Sequence, residues 1–109
     1  MIRFTFKVNN SFLNGGTHPL TVPKTQVDYL KLERDGYVGP ATIVTPTGMR
    51  MRGQVYSGTA GYGPYYQIRV ESKSADPLKR LVLGETLLVE MQRVDGQTVI
   101  SLAQKGRAV

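Results

Sequence analysis

The sequence lacks cysteine and tryptophan, and it contains a single histidine, His18. Without cysteine the chain has no disulfide bond and no thiolate ligand for a metal ion. A single histidine also excludes a cysteine–histidine catalytic pair and a metal site built from several histidines. The lack of cysteine is typical of a cytoplasmic protein, and we expect that location.

Long apolar runs are missing as well. No stretch approaches the roughly 20 apolar residues that a membrane-spanning helix needs, and the segment MIRFTFKVNN lacks the apolar centre of a secretory signal. The 109 residues, 40% of them hydrophobic and 20% charged, are enough for one folded domain with one core. We therefore expect a single domain over residues 1–104, a basic tail over 105–109, and no membrane partner.

Acidic side chains are few, with 8 against 14 basic ones, which gives a net charge of +6 and a pI near 9.8. They are scattered along the chain and form none of the clusters that hydrolytic or metal-dependent sites need. The segment GTAGYG is not followed by the Gly-Lys-Ser/Thr of a phosphate-binding loop. We expect no catalytic site, metal or cofactor. The basic balance favours a polyanionic partner, nucleic acid first, although a solvated basic surface has the same composition.

Alternating apolar and polar residues predict seven short strands. They are RFTFKV (3–8), PLTVP (19–23), ATIVT (41–45), MRMRGQVYS (49–57), YYQIRVES (65–72), ETLLVEMQRV (85–94) and TVISLA (98–103). The prolines that flank the second strand suit a sheet edge. The segments PTG (46–48) and Asp95–Gly96 predict hairpin turns.

Helical signals are weaker. KTQVDYLKL (24–32) predicts a short helix with Pro23 near its first turn, and residues 75–84 allow one helical turn. Residues 9–18 and 58–64 are interpreted as a long polar loop and a glycine-rich connection. Seven short strands are too many for one open sheet of this size. The predicted fold is therefore mainly β, an open barrel (pseudobarrel) of about seven strands with one or two short helices.

Two of these strands carry the side chains that best suit a binding surface. If 49–57 and 65–72 pair as a hairpin, one face presents arginine, glutamine and tyrosine, which contact phosphates, guanine, adenine and stacked bases. The same alternation is typical of an ordinary solvated sheet face. The predicted face consists of Arg50, Arg52, Gln54, Tyr56, Tyr65, Gln67 and Arg69.

The loop over 9–18 contains asparagines, which cap turns and also read base edges. His18 is a candidate donor to a phosphate or a base, although a lone histidine is also commonly a structural residue. Phe12 and Leu13 are expected to pin the loop to the barrel rather than to intercalate.

Four segments, taken together, resemble the B3-type DNA-binding pseudobarrel. A first strand ends in a polar arm over 7–18, and Val22–Pro23 leads into a predicted helix, much as Ile-Pro does in B3 domains. A β-hairpin follows, and LVLGETLLVEM (81–91) is similar to the family pattern L-x-x-G-D-x-V-x-F, with Gly84–Glu85 in place of Gly-Asp. GGTHPLTVP (15–23) looks closer to the effector or target-recognition domains of bacterial restriction endonucleases than to plant B3 transcription factors.

The resemblance implies sequence-specific binding of double-stranded DNA without catalysis, by two arms in the major groove. The domain would be the recognition module of a restriction enzyme or a small bacterial DNA-binding protein, expected to be a monomer. The N-terminal arm would comprise Lys7, Asn9, Asn10, Ser11, Asn14, Thr17 and His18. The C-terminal arm would comprise Tyr56, Ser57, Thr59, Tyr62, Tyr65, Gln67 and Arg69. Phosphates would be neutralised by Lys7, Arg50, Arg52, Arg69 and Lys73.

One departure from the family concerns the C-terminal arm. This arm is often rich in lysine and arginine, whereas SGTAGYGPYYQ (57–67) contains neither. Base readout would then shift towards tyrosine, glutamine and backbone groups.

Other interpretations remain open at this point. A small barrel could bind single-stranded nucleic acid or RNA by stacking bases on Tyr56, Tyr62, Tyr65 and Tyr66. The barrel could instead bind another protein, and its net positive charge would then have no role in binding. LGETLLVEM also suits an AbrB-like swapped dimer.

Overall fold

The computed structural model describes residues 2–14, 17–23, 26, 37–61, 63–71, 78 and 81–105. The helix predicted for Lys24–Leu32 lies outside these residues except for Gln26, whose N–H donates to the Pro23 carbonyl at 2.9 Å. Half of the residues in 75–84, where a helical turn was predicted, and the tail residues 106–109 also lie outside them.

The described chain contains seven strands and one short helix. In chain order they are β1 (Ile2–Lys7), α1 (Asn10–Asn14), β2 (Leu20–Thr21), β3 (Gly39–Val44), β4 (Arg50–Ala60), β5 (Gly63–Val70), β6 (Thr86–Val94) and β7 (Gln97–Gln104). Strand formation follows the alternation in the sequence: along β5, Tyr66, Ile68 and Val70 are buried while Arg69 is exposed.

The strands form one sheet in the order β1-β6-β7-β3-β4-β5-β2. Neighbours are antiparallel, except that β3 and β7 run parallel. The sheet curls until it is nearly closed, and no described strand seals the seam between its edge strands β1 and β2. The predicted fold, a mainly β open barrel of about seven strands with few helices, is confirmed.

Inward-facing side chains from the strands meet in one core. Ile43, Leu87, Met91 and Ile100 have no exposed surface, and each such burial stabilises the fold by about 1.5–3 kcal/mol. Phe12 of α1 is equally buried and belongs to the same core. The expectation that Phe12 pins its segment to the barrel is confirmed, and the opposite strand faces are left to solvent.

The two predicted hairpin turns are confirmed. Asp95 and Gly96 join β6 to β7 with φ angles of 50° and 77°, the left-handed pair that a two-residue hairpin turn requires. At the β3–β4 turn, the Thr45 N–H donates to the Met49 carbonyl at 2.8 Å, and Gly48 has a φ of 87°.

The interpretation of residues 9–18 as a loop and of residues 58–64 as a glycine-rich connection is wrong in part. Residues 10–14 form α1 instead of a loop, because Asn9 accepts the Phe12 N–H on its Oδ1 at 2.9 Å and so caps the helix. The glycine-rich segment 58–64 is mostly strand, since β4 continues to Ala60 and Ala60 pairs directly with Gly63. The protein therefore presents a short helix and a long β-ribbon where the sequence indicated two loops.

Among the described residues, no helix is both long enough and apolar enough to cross a bilayer.

Candidate nucleic-acid interface

The outer side of β4 and β5 carries the predicted row of basic, amide and tyrosine side chains. In the antiparallel register Gln54 lies opposite Arg69, and Tyr56 lies opposite Gln67. Since side chains opposite one another share a sheet face, the predicted arrangement is confirmed. We call this set the β4–β5 face; it consists of Arg50, Arg52, Gln54, Tyr56, Tyr65, Gln67 and Arg69.

This face is open to solvent because the alternate residues fill the core. Val55 and Ile68 are each 1% exposed, whereas Tyr56 is 40% exposed. Arg50, Arg52, Gln54 and Arg69 are also exposed. Within the described residues, no ion pair involves an arginine of this face, in contrast to Arg3, which lies 3.5 Å from Glu90 on the β1–β6 pair.

Arg69 is held at the centre of the face by two neighbours. Its Nε donates to Gln67 Oε1 at 2.8 Å, and its guanidinium carbon lies 4.7 Å from the centre of the Tyr56 ring. A cation stacked on tyrosine is attracted by the negative face of the ring. The guanidinium of Arg69 is thus engaged by two side chains of the same face.

Tyr65 extends the same row towards the end of the hairpin. It lies opposite Gly58, and its ring covers that glycine so closely that an added Cβ would come within 2.6 Å of the Tyr65 hydroxyl oxygen. Gly58 is therefore needed for the close approach of an aromatic side chain rather than for a flexible loop.

The predicted C-terminal arm is divided between two faces of the ribbon. Ser57 and Thr59 are exposed, but they alternate with Tyr56 and so point to the other side from the β4–β5 face. Tyr66 is 5% exposed, which removes it as a stacking platform for a single strand. Tyr62 and Lys73 lie outside the described residues.

The helix α1 presents three of the seven residues of the predicted N-terminal arm. Asn10, Ser11 and Asn14 are exposed on it. Asn9 is exposed too, but its Oδ1 is engaged as the helix cap. Thr17 is exposed, and its carbonyl accepts the Val70 N–H at 2.7 Å, which ties the segment after α1 to β5.

His18 is fully buried, and the prediction that it contacts DNA directly is wrong. Its Nδ1 donates to the Phe12 carbonyl at 2.6 Å, and its ring lies 5.2 Å from the Phe12 ring. A carbonyl oxygen can only accept, so the proton is on Nδ1. His18 also has a φ of 44°, a backbone conformation that non-glycine residues adopt uncommonly. The histidine holds α1 against the barrel.

Lys7 ends β1 opposite Thr86 and is exposed. The next residue, Val8, is tied to the turn before β6, since its N–H donates to the Glu85 carbonyl and its carbonyl accepts the Gly84 N–H, each at 2.8 Å. Glu85 in turn accepts the Val82 N–H on its carboxylate at 3.0 Å. The start of the N-terminal arm is therefore anchored by the segment LVLGE.

Thr17 of the N-terminal arm and the end of the β4–β5 hairpin lie at opposite ends of β5. Thr17 contacts Val70 at one end, and the β4–β5 turn follows Ala60 at the other. The 8 residues of β5 span about 26 Å at about 3.3 Å per residue. The β4–β5 face lies along this span.

A groove of about 680 Å³ borders the β4–β5 face along β3. One wall comes from Arg52 and Gln54 of β4, and the other comes from Arg93 and Gln97 at the β6–β7 turn. Arg93 donates to the Thr98 hydroxyl at 2.9 Å and to the Gly96 carbonyl at 2.7 Å. Sequence reasoning did not single out Arg93; its position beside the Asp95–Gly96 turn was the signal available.

The described residues contain no group of three histidine, cysteine, aspartate or glutamate side chains placed to hold a metal ion. The chain matches no protein-family model, and its sequence matches no curated protein.

Proposed function

We propose that this domain binds double-stranded DNA in a sequence-specific manner, as a B3-like recognition module of a restriction enzyme or of a small bacterial DNA-binding protein. The observation that carries the proposal is the β4–β5 face. It combines exposed arginines, which bind phosphate, with amide and guanidinium groups, which pair with base edges, in a chain with a net charge of +6.

The shape of the β4–β5 hairpin supports entry into the major groove. β3 pairs with β4 only as far as Val55, and β2 with the segment after it contacts β5 only as far as Tyr66, so Gly58 to Ala60 continue with β5 as a two-stranded ribbon. The major groove of B-DNA admits a ribbon of this kind. Arg50 and Arg52 lie nearer the barrel, where they would meet the phosphate backbone.

The N-terminal arm supplies a second set of contacts. Asn10, Ser11 and Asn14 point to solvent from α1, and Lys7 lies at its base. Because the arm and the ribbon end lie about 26 Å apart along β5, a duplex that touches both would lie along the β4–β5 face.

The test is selection of bound duplexes from a random library, followed by titration of the selected duplex at several salt concentrations. If Lys7, Arg50 and Arg52 each displace a counterion, we expect affinity to fall roughly 40-fold between 50 and 200 mM salt. A bound pool without sequence preference, together with affinity that does not respond to salt, would refute the proposal.

Competition with single strands separates this proposal from binding of single-stranded nucleic acid. The stacking surface available to a single strand is smaller than the sequence indicated, because Tyr66 is buried and Tyr65 covers Gly58. We expect duplex to compete more strongly than either strand alone. A protein-interaction barrel would instead leave both forms unbound at moderate salt.

A further inference from the structure

We infer that Arg69 reads a guanine in the major groove and that Tyr56 and Gln67 are the residues that position it. The inference rests on the proposed function, since it needs a duplex on the β4–β5 face. It assigns different roles to residues that the sequence pattern treats as equivalent members of one row.

The hydrogen bond between Gln67 and Arg69 fixes the orientation of both side chains. The Nε–H of arginine can only donate, so the group that faces it at 2.8 Å is the carbonyl oxygen of the Gln67 amide. Glutamine pairs with adenine by using its oxygen and its nitrogen together. While Gln67 holds Arg69, one of the two lone pairs of its oxygen is used, and we assign Gln67 to positioning Arg69 rather than to pairing with adenine.

The contact with Tyr56 restricts the position of the guanidinium. With Nε bonded to Gln67 and the guanidinium carbon 4.7 Å from the centre of the Tyr56 ring, the two terminal nitrogens of Arg69 have no hydrogen-bond partner among the described residues. They form a flat pair of donors, the geometry that matches O6 and N7 of guanine.

A phosphate contact does not require such fixation. Arginine also forms two-donor pairs with phosphate, but the oxygens of a phosphate can be reached from several directions, whereas the edge of a guanine accepts a guanidinium only in its own plane. Arg50 and Arg52 on the same face make no comparable side-chain contact with the described residues, as suits phosphate binding. The contrast among three arginines of one face singles out Arg69.

The experiment compares duplex selection by the wild-type domain and six variants, each checked for folding by thermal unfolding. We expect a guanine at one position of the wild-type site, and Arg69→Lys should lower the preference for it about 10-fold or more. Tyr56→Leu and Gln67→Ala should weaken the preference at that same position. Tyr56→Phe and Gln67→Glu should retain it, because a ring and an acceptor for Nε–H remain.

Arg3→Lys, at a cation outside the β4–β5 face that is paired with Glu90, is the matched control and should leave the preference at every position unchanged. If Arg69→Lys weakens binding to all duplexes by the same factor, Arg69 contacts phosphate and the inference is overturned. A wild-type site without guanine would also overturn it while leaving the proposed function intact. If the folded wild-type domain binds no duplex, the proposed function fails and the inference fails with it.

Discussion

His18 and Phe12 are joined by a buried hydrogen bond of 2.6 Å between the imidazole Nδ1 and the backbone carbonyl, and their rings lie 5.2 Å apart. Phe12 is in turn 5.4 Å from Phe6 of β1. This stack connects α1 to the barrel. His18, the single histidine of the chain, therefore positions the N-terminal arm through contacts that are buried in the protein.

Replacing His18 by alanine removes this bond and opens a cavity. An unsatisfied buried acceptor and the lost packing should together lower the free energy of unfolding by about 3 kcal/mol. Urea unfolding followed by circular dichroism measures the change. Ser11→Ala, at an exposed position of the same helix, should change stability by less than about 0.5 kcal/mol. Equal stability of the two variants would contradict the structural role of His18.

Asn9→Ala should destabilise the protein by about 1 kcal/mol, because the Phe12 N–H loses its capping oxygen. Asn9→Asp retains an acceptor at the same place and should stay within a few tenths of a kcal/mol of the wild type. The midpoints of urea unfolding for the two variants provide the comparison. A large loss in Asn9→Asp would show that the cap is not what Asn9 contributes.

Gly53→Ala should be strongly destabilising, although it replaces one small residue by another. The added Cβ would lie 2.7 Å from Ile43 Cγ1 and 2.8 Å from the Arg69 carbonyl oxygen, and such overpacking costs about 1–3 kcal/mol. At Gly61 an added Cβ meets nothing within 4 Å, so Gly61→Ala is the matched control and should leave stability unchanged or slightly higher. Thermal unfolding of both variants tests the register of β3, β4 and β5.

Arg52→Gln should weaken binding to all duplexes by a similar factor and reduce the slope of log affinity against log salt by about 1. The cause is the loss of one phosphate contact on the β4–β5 face. Arg3→Gln removes the same charge outside this face, where Arg3 is paired with Glu90, and should change the slope less. Equal effects of the two substitutions would indicate that only net charge matters.

Asn10→Ala should relax sequence preference with little effect on stability, since Asn10 is exposed on α1 and the cap is supplied by Asn9. Library selection shows the change as a loss of discrimination at one or two positions of the site. An unchanged preference would remove α1 from base recognition and leave the β4–β5 face alone.

The strands were predictable because their residues alternate, and the turns because Asp95–Gly96 suits few other structures. The helix α1 was not predictable, since Asn9, Asn10 and Ser11 favour loops as much as helix caps. The burial of Phe12 against the core favours the helix. The strand pairing within 58–64 was not predictable because the segment is rich in glycine, which is uncommon in strands. The role of Gly58 depends on the Tyr65 ring across the hairpin. The sequence around His18 does not indicate whether this histidine is buried and structural or exposed and available to contact DNA.

The pairing of β1 with β6 has a consequence for the order of folding. Ile2 lies opposite Met91, so the ladder that fixes β1 joins residues far apart in the chain, and such pairings form slowly. The hairpins β3–β4, β4–β5 and β6–β7 need only neighbouring segments. Because Val8 is anchored by Gly84 and Glu85, α1 reaches its position only after this distant segment has folded. We therefore expect the β4–β5 hairpin to form early in folding and the N-terminal arm to reach its native position last.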